Sequence, residues 1–143
     1  MEPPTHRPLR VLIVEDDPGN ALLMKKLLVR LGGMSVDVTE DGDLVVALSE
    51  RGELDAIVMD VSLVRTYVGG EPVDGLELTR RVLRPGAGSR RPGVLLATAH
   101  AMHGDPTRFL AESGADGYVS KPILDGPRFV DEVRRVALAG RGA

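Results

Sequence analysis

Residues 11–20 read VLIVEDDPGN, and within them an apolar run leads directly into three acidic residues. The run, residues 11–14, is short and rich in β-branched side chains, which is typical of a strand buried on both faces of a parallel sheet. Glu15, Asp16 and Asp17 follow at once. Two unit charges about 4 Å apart repel by on the order of 4 kcal/mol at an effective dielectric near 20. A strand that ends on such repulsion needs a group that offsets it.

The composition of the 143-residue chain is that of an ordinary globular domain, with 43% hydrophobic residues, 27% charged residues and a net charge of −3. The absence of cysteine excludes disulfides and thiolate metal sites. No apolar run approaches the ~18 residues of a membrane span, and MEPPTHRPLR at the N-terminus lacks the apolar core of a signal peptide. We therefore expect a cytoplasmic protein without membrane contact. The acidic balance and the scarcity of aromatic residues argue against direct nucleic-acid binding.

Apolar runs and helical patterns alternate along the chain, and each helix has local start or stop signals. Pro18 lies where a first helical turn tolerates proline, and Gly32-Gly33 ends that helix. Such alternation indicates an α/β fold in which a parallel sheet carries helices on both faces. We predict strands at 9–14, 34–38, 54–59, 94–97 and 117–120. We predict a first helix that begins at Pro18 and a second that runs from an Asp41 cap through residue 49. Further helices are predicted over 75–83, over 105–113 with Asp105 as the cap, and over 127–138.

Polar side chains stand at the predicted strand ends. Glu15 and Asp16 follow the first strand and Asp60 the third, while Thr98 and Lys121 end the fourth and fifth. Because parallel strands share one carboxyl edge, these groups should converge where such sheets bind ligands. Any one of them could be a plain strand terminator, but chance rarely places all of these types together. Grouped carboxylates can hold a hard divalent cation, and a carboxylate beside a cation, an ammonium and a hydroxyl can attack phosphorus.

With these residues in place, the chain resembles the receiver domain of bacterial two-component response regulators from about residue 9 to 138. The resemblance implies a flavodoxin-like, CheY-like doubly wound sheet of five parallel strands in the order 2-1-3-4-5, with five helices. The motifs that carry it are VLIVEDD at 11–17, the acid of IVMD at 57–60, VDGLEL at 73–78, LLATAHAMHGD at 95–105 and GADGYVSKPI at 114–123.

The resemblance implies that Asp60 is the phosphoacceptor and one ligand of a Mg²⁺ ion, which Mn²⁺ could replace. Asp16 matches the direct metal ligand and Glu15 an acid that acts through water. Ser62 matches the position whose backbone carbonyl ligates the metal. Asp17 lies one residue past the acidic pair, and we assign it to the surface as a possible cap of the first helix.

The resemblance also implies roles at the last two strands. Thr98 matches a hydroxyl that moves to the phosphoryl group, although it could be a plain strand residue. Lys121 matches a lysine that contacts a phosphoryl oxygen, and its peptide bond to Pro122 is usually cis in the family. Tyr118 matches an aromatic residue whose rotamer follows phosphorylation, with a position at the edge of the core as the alternative.

The implied function is signalling: a sensor histidine kinase or a histidine phosphotransfer protein phosphorylates Asp60, and the protein signals by phosphorelay or by binding a downstream protein partner. Its only catalysis would be its own phosphorylation and dephosphorylation. We expect a flexible arm at 1–8, the receiver domain at 9–139, a tail at 140–143 and no output domain, with a receiver cut from a longer protein as the alternative.

Two other functions on a related topology are alternatives to signalling. The first is a metal-dependent phosphatase of the haloacid dehalogenase kind, whose aspartyl nucleophile needs a second Asp two residues later. Ser62 stands there instead. The second is a flavin carrier, but no phosphate-cradling loop follows the first strand.

The segment after Asp60 departs from the receiver pattern. Val64 occupies the place of a usual proline, and the loop VRTYVGGEPVDG at 64–75 is longer than usual. Gly69-Gly70 suggests a tight reversal, because glycine reaches positive φ without steric cost. We expect a small flap beside the acceptor that affects which partner can dock, with a plain solvated loop as the alternative.

Overall fold

The structure is a computed structural model that describes residues 7–84, 91–99 and 106–141. Within these ranges a parallel sheet has the strand order β2-β1-β3-β6-β7, and a second, two-stranded sheet pairs β4 with β5. With the small hairpin set aside, this is the predicted 2-1-3-4-5 order. The elements are β1 (Arg10–Val14), α1 (Pro18–Arg30), β2 (Ser35–Thr39), α2 (Gly42–Glu50), β3 (Ala56–Asp60), β4 (Tyr67–Val68), β5 (Glu71–Pro72), α3 (Gly75–Val82), β6 (Gly93–Thr98), α4 (Pro106–Ser113), β7 (Gly117–Ser120) and α5 (Gly126–Arg141).

The hydrophobic core forms two clusters, one on each face of the sheet. Successive strand side chains point to opposite faces, so Val11 and Ile13 pack in the cluster covered by α1 and α5. Leu12 and Val14 pack in the other cluster, together with residues of α2, α3 and α4. Both clusters bury the central strands, which accounts for continuous apolar runs rather than alternating ones.

Aspartates cap the N-termini of the first three helices. The Asp17 carboxylate accepts a hydrogen bond from the Asn20 amide at 2.8 Å, and the Asp41 carboxylate accepts one from the Leu44 amide at 3.2 Å. Both caps were predicted. Asp74 caps α3 in the same way. The predicted Asp105 cap lies outside the described residues.

Several predicted boundaries were wrong by a few residues. Strand β3 includes Asp60, which pairs in register with Ala97, so the sheet itself holds this acid. Helix α5 continues through Arg141, and the predicted tail is therefore helical at its first two residues. Gly140 is buried against the backbone of Gly93. A β carbon at position 140 would overlap that backbone, so glycine allows the helix to pack this closely.

The end of the predicted arm is attached to the domain. The Arg7 guanidinium lies 3.3 Å from the buried carboxylate of Asp55, at the opposite end of the sheet from Asp60. Asp55 also accepts the Arg10 amide at 2.8 Å, which fixes the start of β1. Residues 1–6 lie outside the described part of the chain.

The long loop after β3 contains the hairpin β4–β5 rather than an irregular path. Gly69 and Gly70 have φ values of 59° and 84°, so the predicted reversal is a two-residue turn that needs positive φ at both positions. The Gly69 amide donates to the Asp43 carboxylate of α2 at 3.0 Å. The effect of this segment on partner docking stays a prediction.

None of the helices in the described residues is long and apolar enough to span a lipid bilayer.

Candidate functional site

Three carboxylates meet at the carboxyl edge of the sheet. Glu15 and Asp16 follow β1, and Asp60 ends β3, which lies beside β1 in parallel register. One oxygen from each of the three lies within 4.8 Å of the others. Glu15 and Asp60 are only 4% and 3% exposed, so their charges are largely removed from water. The convergence that strand order predicted is therefore present.

Lys121 lies between two of these acids. Its Nζ atom is 2.9 Å from Glu15 Oε1 and 3.1 Å from Asp60 Oδ1, and its side chain is 8% exposed. The Lys121 amide donates to the Thr98 carbonyl at 2.8 Å, which extends β7 along β6 and fixes the lysine at the edge. The following peptide bond, to Pro122, is cis, the isomer that the resemblance implies.

The protonation of Glu15 and Lys121 reflects burial and mutual charge. Burial raises the pKa of Glu15 above its ordinary value of 4.5, and the nearby charge of Asp60 adds to this, although the hydrogen bond from Lys121 opposes it. Burial alone would lower the pKa of Lys121, but its contacts with Glu15 and Asp60 outweigh burial and raise it above 10.5. Lys121 is therefore an ammonium at neutral pH.

Backbone amides supply further donors to each carboxylate. The Asp17 amide donates to Glu15 Oε2 at 3.1 Å, and the Ser62 amide donates to Asp60 Oδ1 at 3.0 Å. The Val64 amide donates to Asp16 Oδ2 at 3.3 Å. Both oxygens of Glu15 thus have protein donors. The water-mediated role of Glu15 stays a prediction.

Thr98 lies on β6, which pairs with β3, and Tyr118 lies on β7, the edge strand beyond β6. Thr98 is the last residue of β6, is 5% exposed and pairs in register with Ser120 of β7. Tyr118 lies on β7 and is 42% exposed. Thr98 therefore lies at the predicted carboxyl edge, whereas Tyr118 pairs with Leu96, two residues before that end of β6. The proposed responses of both residues to phosphorylation stay predictions.

Sequence reasoning missed two backbone features of the site. One is the Val64 amide, which no side-chain motif reveals because any residue except proline supplies an N–H group. The other is Gly75, where a β carbon would overlap the carbonyl oxygen of Asp60. The Asp-Gly pair in VDGLEL contained a signal for this second feature, since glycine often marks a close approach of backbone.

Residues 11–134 match the family model of the response regulator receiver domain. The chain belongs to this family. The fold and the resemblance inferred from the sequence are confirmed.

Curated relatives of this receiver domain include both kinases and regulators. The domain is 35% identical over 129 residues to hybrid signal transduction histidine kinase I of Dictyostelium discoideum, covering 88% of the chain and 7% of that protein. It is 34% identical over 115 residues to the transcriptional regulatory protein TcrA of Mycobacterium tuberculosis, covering 80% of the chain and 41% of that protein. The chain thus spans less than half the length of these relatives.

Solved structures give the same result. The receiver domain of the sensor histidine kinase PA1611 from Pseudomonas aeruginosa is 28% identical, with a TM-score of 0.72, and covers 92% of this chain and 98% of its own. That structure contains a magnesium ion coordinated in the active-site cleft. A putative response regulator from Chloroflexus aurantiacus is 26% identical, with a TM-score of 0.73 over 92% of this chain and 99% of its own. Receiver domains are signalling domains of two-component systems rather than classical enzymes.

Proposed function

We propose that this receiver domain accepts a phosphoryl group on Asp60 from the phosphohistidine of a sensor histidine kinase or a histidine phosphotransfer protein. It then signals by phosphorelay or by binding a downstream protein partner. The observation that carries the proposal is the Lys121 ammonium, which joins two buried carboxylates from two different strand ends. Such a cation beside a carboxylate can stabilise the charge of a phosphoryl group in transfer.

The hydrogen bonds of Asp60 indicate which of its oxygens reacts. Among the described residues, the donors to Asp60 are the Ser62 amide and the Lys121 ammonium, and both bind Oδ1. We assign Oδ2 as the nucleophile. Its attack forms a P–O bond as the P–N bond of phosphohistidine breaks, and the electron pair leaves on the imidazole nitrogen. In dephosphorylation, a water oxygen attacks the phosphorus and the P–O bond to Asp60 breaks, which releases phosphate and restores the carboxylate.

The oxygen donors of the cluster suit Mg²⁺, which prefers carboxylate oxygens and retains several waters. Asp16 and Asp60 would ligate the ion directly, Glu15 would hold one of its waters, and the Ser62 carbonyl would complete the protein ligands. The bound ion would supply positive charge that offsets the repulsion among the carboxylates and the charge of the transferred group. Mn²⁺ has similar ligand preferences and could replace it.

The remaining residues hold the phosphoryl group after transfer. We assign Lys121 to one phosphoryl oxygen, which it reaches by exchanging a carboxylate partner for the phosphate. We assign the Thr98 hydroxyl to another oxygen, and Tyr118 to a change of rotamer that alters the surface of β7. These assignments follow the resemblance, and for Thr98 and Lys121 the positions at the same sheet edge as Asp60 support them.

A phosphatase is the weaker alternative. Turnover by an aspartyl nucleophile needs a proton donor to the leaving group. Ser62 stands where the dehalogenase-like enzymes have an acid, and its amide is bound to Asp60. The early time course with a chromogenic phosphate ester distinguishes the two functions. A phosphatase releases many products per protein, whereas a receiver releases at most one before its own acyl phosphate is hydrolysed.

The direct test follows the intact mass of the protein after incubation with acetyl phosphate and Mg²⁺. Wild type should gain one phosphoryl group, and Asp60→Asn should gain none. Asp17→Asn is the matched control, because it neutralises a neighbouring acid that only caps α1 and should keep the adduct. An undiminished adduct on Asp60→Asn would overturn the proposal.

A further inference from the structure

The Val64 amide donates to the Asp16 carboxylate across 48 positions of sequence. The donor–acceptor distance is 3.3 Å, and the acceptor is Oδ2. Val64 is 73% exposed as a residue, so its side chain contributes little to packing. Proline, which the receiver pattern places here, has no N–H group and could not make this bond.

The segment that carries Val64 is fixed on its N-terminal side by the site itself. The Ser62 amide donates to Asp60, and the Leu63 side chain is 5% exposed within the cluster that includes α3. Amides two residues apart therefore donate to two different carboxylates, while the side chain between them is buried. This alternation holds the strip 62–64 along the rim of the acidic site.

The C-terminal side of Val64 is fixed by the hairpin. Thr66 is 1% exposed, and its hydroxyl donates to the Glu40 carbonyl at 2.9 Å. The Thr66 carbonyl accepts the Val73 amide at 2.9 Å, which closes the base of the hairpin. Gly42 allows the hairpin to lie against α2, since a β carbon there would overlap the Tyr67 carbonyl oxygen. The inserted segment is therefore seated on α2 and on the chain that follows β2.

We propose that the inserted hairpin makes the Val64 amide a positioning group for Asp16. The amide holds Oδ2, which limits rotation of the Asp16 carboxylate and keeps it oriented beside Glu15 and Asp60 for a divalent cation. A hydrogen bond to an ionised carboxylate is stronger than a neutral one, and partners of this kind orient metal ligands and tune their affinity. This inference rests on the proposed function, because it assumes that Asp16 is a metal ligand.

The test compares two substitutions at Val64 that differ in the amide. Val64→Ala keeps the N–H group, and Val64→Pro removes it. Titration calorimetry with Mg²⁺ should give Val64→Ala the wild-type dissociation constant and Val64→Pro one about tenfold higher, the lower end of the loss expected for a partner of a metal ligand. Equal dissociation constants for all three proteins would overturn the inference.

A measurement on the metal-free protein covers the case in which proline disturbs the fold. In nitrogen-edited NMR spectra the Val64 amide proton should shift upfield and exchange faster in Asp16→Ala, because its acceptor is gone. Asp17→Asn should leave the Val64 signal unchanged. A Val64 signal that does not respond to Asp16→Ala would contradict the contact itself.

Failure of this inference can be distinguished from failure of the proposed function. Wild-type protein that binds Mg²⁺ and is phosphorylated on Asp60, together with a Val64→Pro protein of equal affinity, removes only the role of Val64. Wild-type protein that binds no Mg²⁺ would remove the metal-dependent part of the proposed function and this inference with it.

Discussion

At the scale of single residues, Lys121 is the internal partner that offsets the repulsion in the acidic cluster. It neutralises one of three negative charges, so two remain when all three acids are ionised. The ammonium is nearly as buried as the acids it contacts, and removal of one partner from a buried ion pair leaves an uncompensated charge. Lys121 therefore has a structural role in the metal-free protein besides its proposed contact with the phosphoryl group.

Substitution of Lys121 by methionine should destabilise the metal-free protein by about 3–5 kcal/mol, the cost typical of a broken buried pair. Urea unfolding at neutral pH would measure this. Lys26→Met is the control, because Lys26 is exposed on α1 and its substitution should stay within about 0.5 kcal/mol. If Lys121→Met and Lys26→Met unfold at the same urea concentration, the ion pair does not stabilise the fold.

Glu15 should give the metal-free protein an unusual pH dependence. Its pKa is raised in the folded state, so the folded protein holds the Glu15 proton more tightly than the unfolded chain does. This contribution to stability is full below the ordinary pKa of 4.5 and is lost as pH rises through the raised folded value. We expect Glu15→Gln to gain unfolding free energy relative to wild type as the pH rises across that window. A difference that stays constant with pH would contradict the assigned direction.

At the scale of elements, the connection from β3 to α3 places Gly75, the first residue of α3, against the backbone of Asp60, the proposed phosphoacceptor. The Gly75 amide donates to the Val61 carbonyl at 3.1 Å, and Asp74 caps the helix beside it. Because a β carbon at Gly75 would overlap the Asp60 carbonyl oxygen, the helix can begin this close to β3 only with glycine. The position of Asp60 thus depends on a residue without a side chain.

Gly75→Ala should therefore lower both stability and the rate at which acetyl phosphate modifies Asp60. The end of β3 or the first turn of α3 must move to admit the methyl group, and overpacking typically costs about 1–3 kcal/mol. Gly19→Ala is the matched control in α1, where the nearest atom to a new β carbon is a flexible carboxylate oxygen at 3.6 Å. Thermal unfolding and intact-mass time courses would measure both effects. A Gly75→Ala protein that matches Gly19→Ala in both assays would show that the close approach is unimportant.

Much of this architecture was predictable because it depends on side-chain patterns. Apolar runs that end on Glu15, Asp60 and Lys121 predicted which strand ends meet, since parallel topology places their carboxyl ends together. The Val64 amide was not predictable, because its contact depends on a backbone path through an insertion. The continuation of α5 to Arg141 was missed because a Gly-Arg-Gly sequence reads as a helix end, whereas tertiary packing of Gly140 on β6 outweighs that preference.

At the scale of the whole molecule, one central strand connects the site to the core. Strand β1 pairs with both β2 and β3, and its side chains enter both hydrophobic clusters. Glu15 and Asp16 directly follow this strand. Repulsion between the acids at the end of β1 should therefore lower the stability of the whole fold. A ligand that offsets this negative charge should stabilise the whole domain.

Mg²⁺ should accordingly raise the free energy of unfolding of the receiver domain. A ligand that binds only the folded state adds about 2.7 kcal/mol at one hundred times its dissociation constant. Asp16→Asn should unfold at a higher temperature than wild type without metal, because it removes one of the repelling charges, and should lose most of the response to Mg²⁺. Differential scanning calorimetry with and without Mg²⁺ tests this. An equal Mg²⁺ response in the two proteins would place the metal elsewhere.

The central claim is that Asp60, among three clustered carboxylates, is the one that forms the acyl phosphate. Borohydride reduces an acyl phosphate to an alcohol, so phosphorylated protein can be reduced, digested and sequenced by mass spectrometry to locate the modified side chain. We predict homoserine at position 60 and unmodified Glu15 and Asp16. Reduction at Glu15 or Asp16, with Asp60 intact in fully phosphorylated protein, would contradict the account.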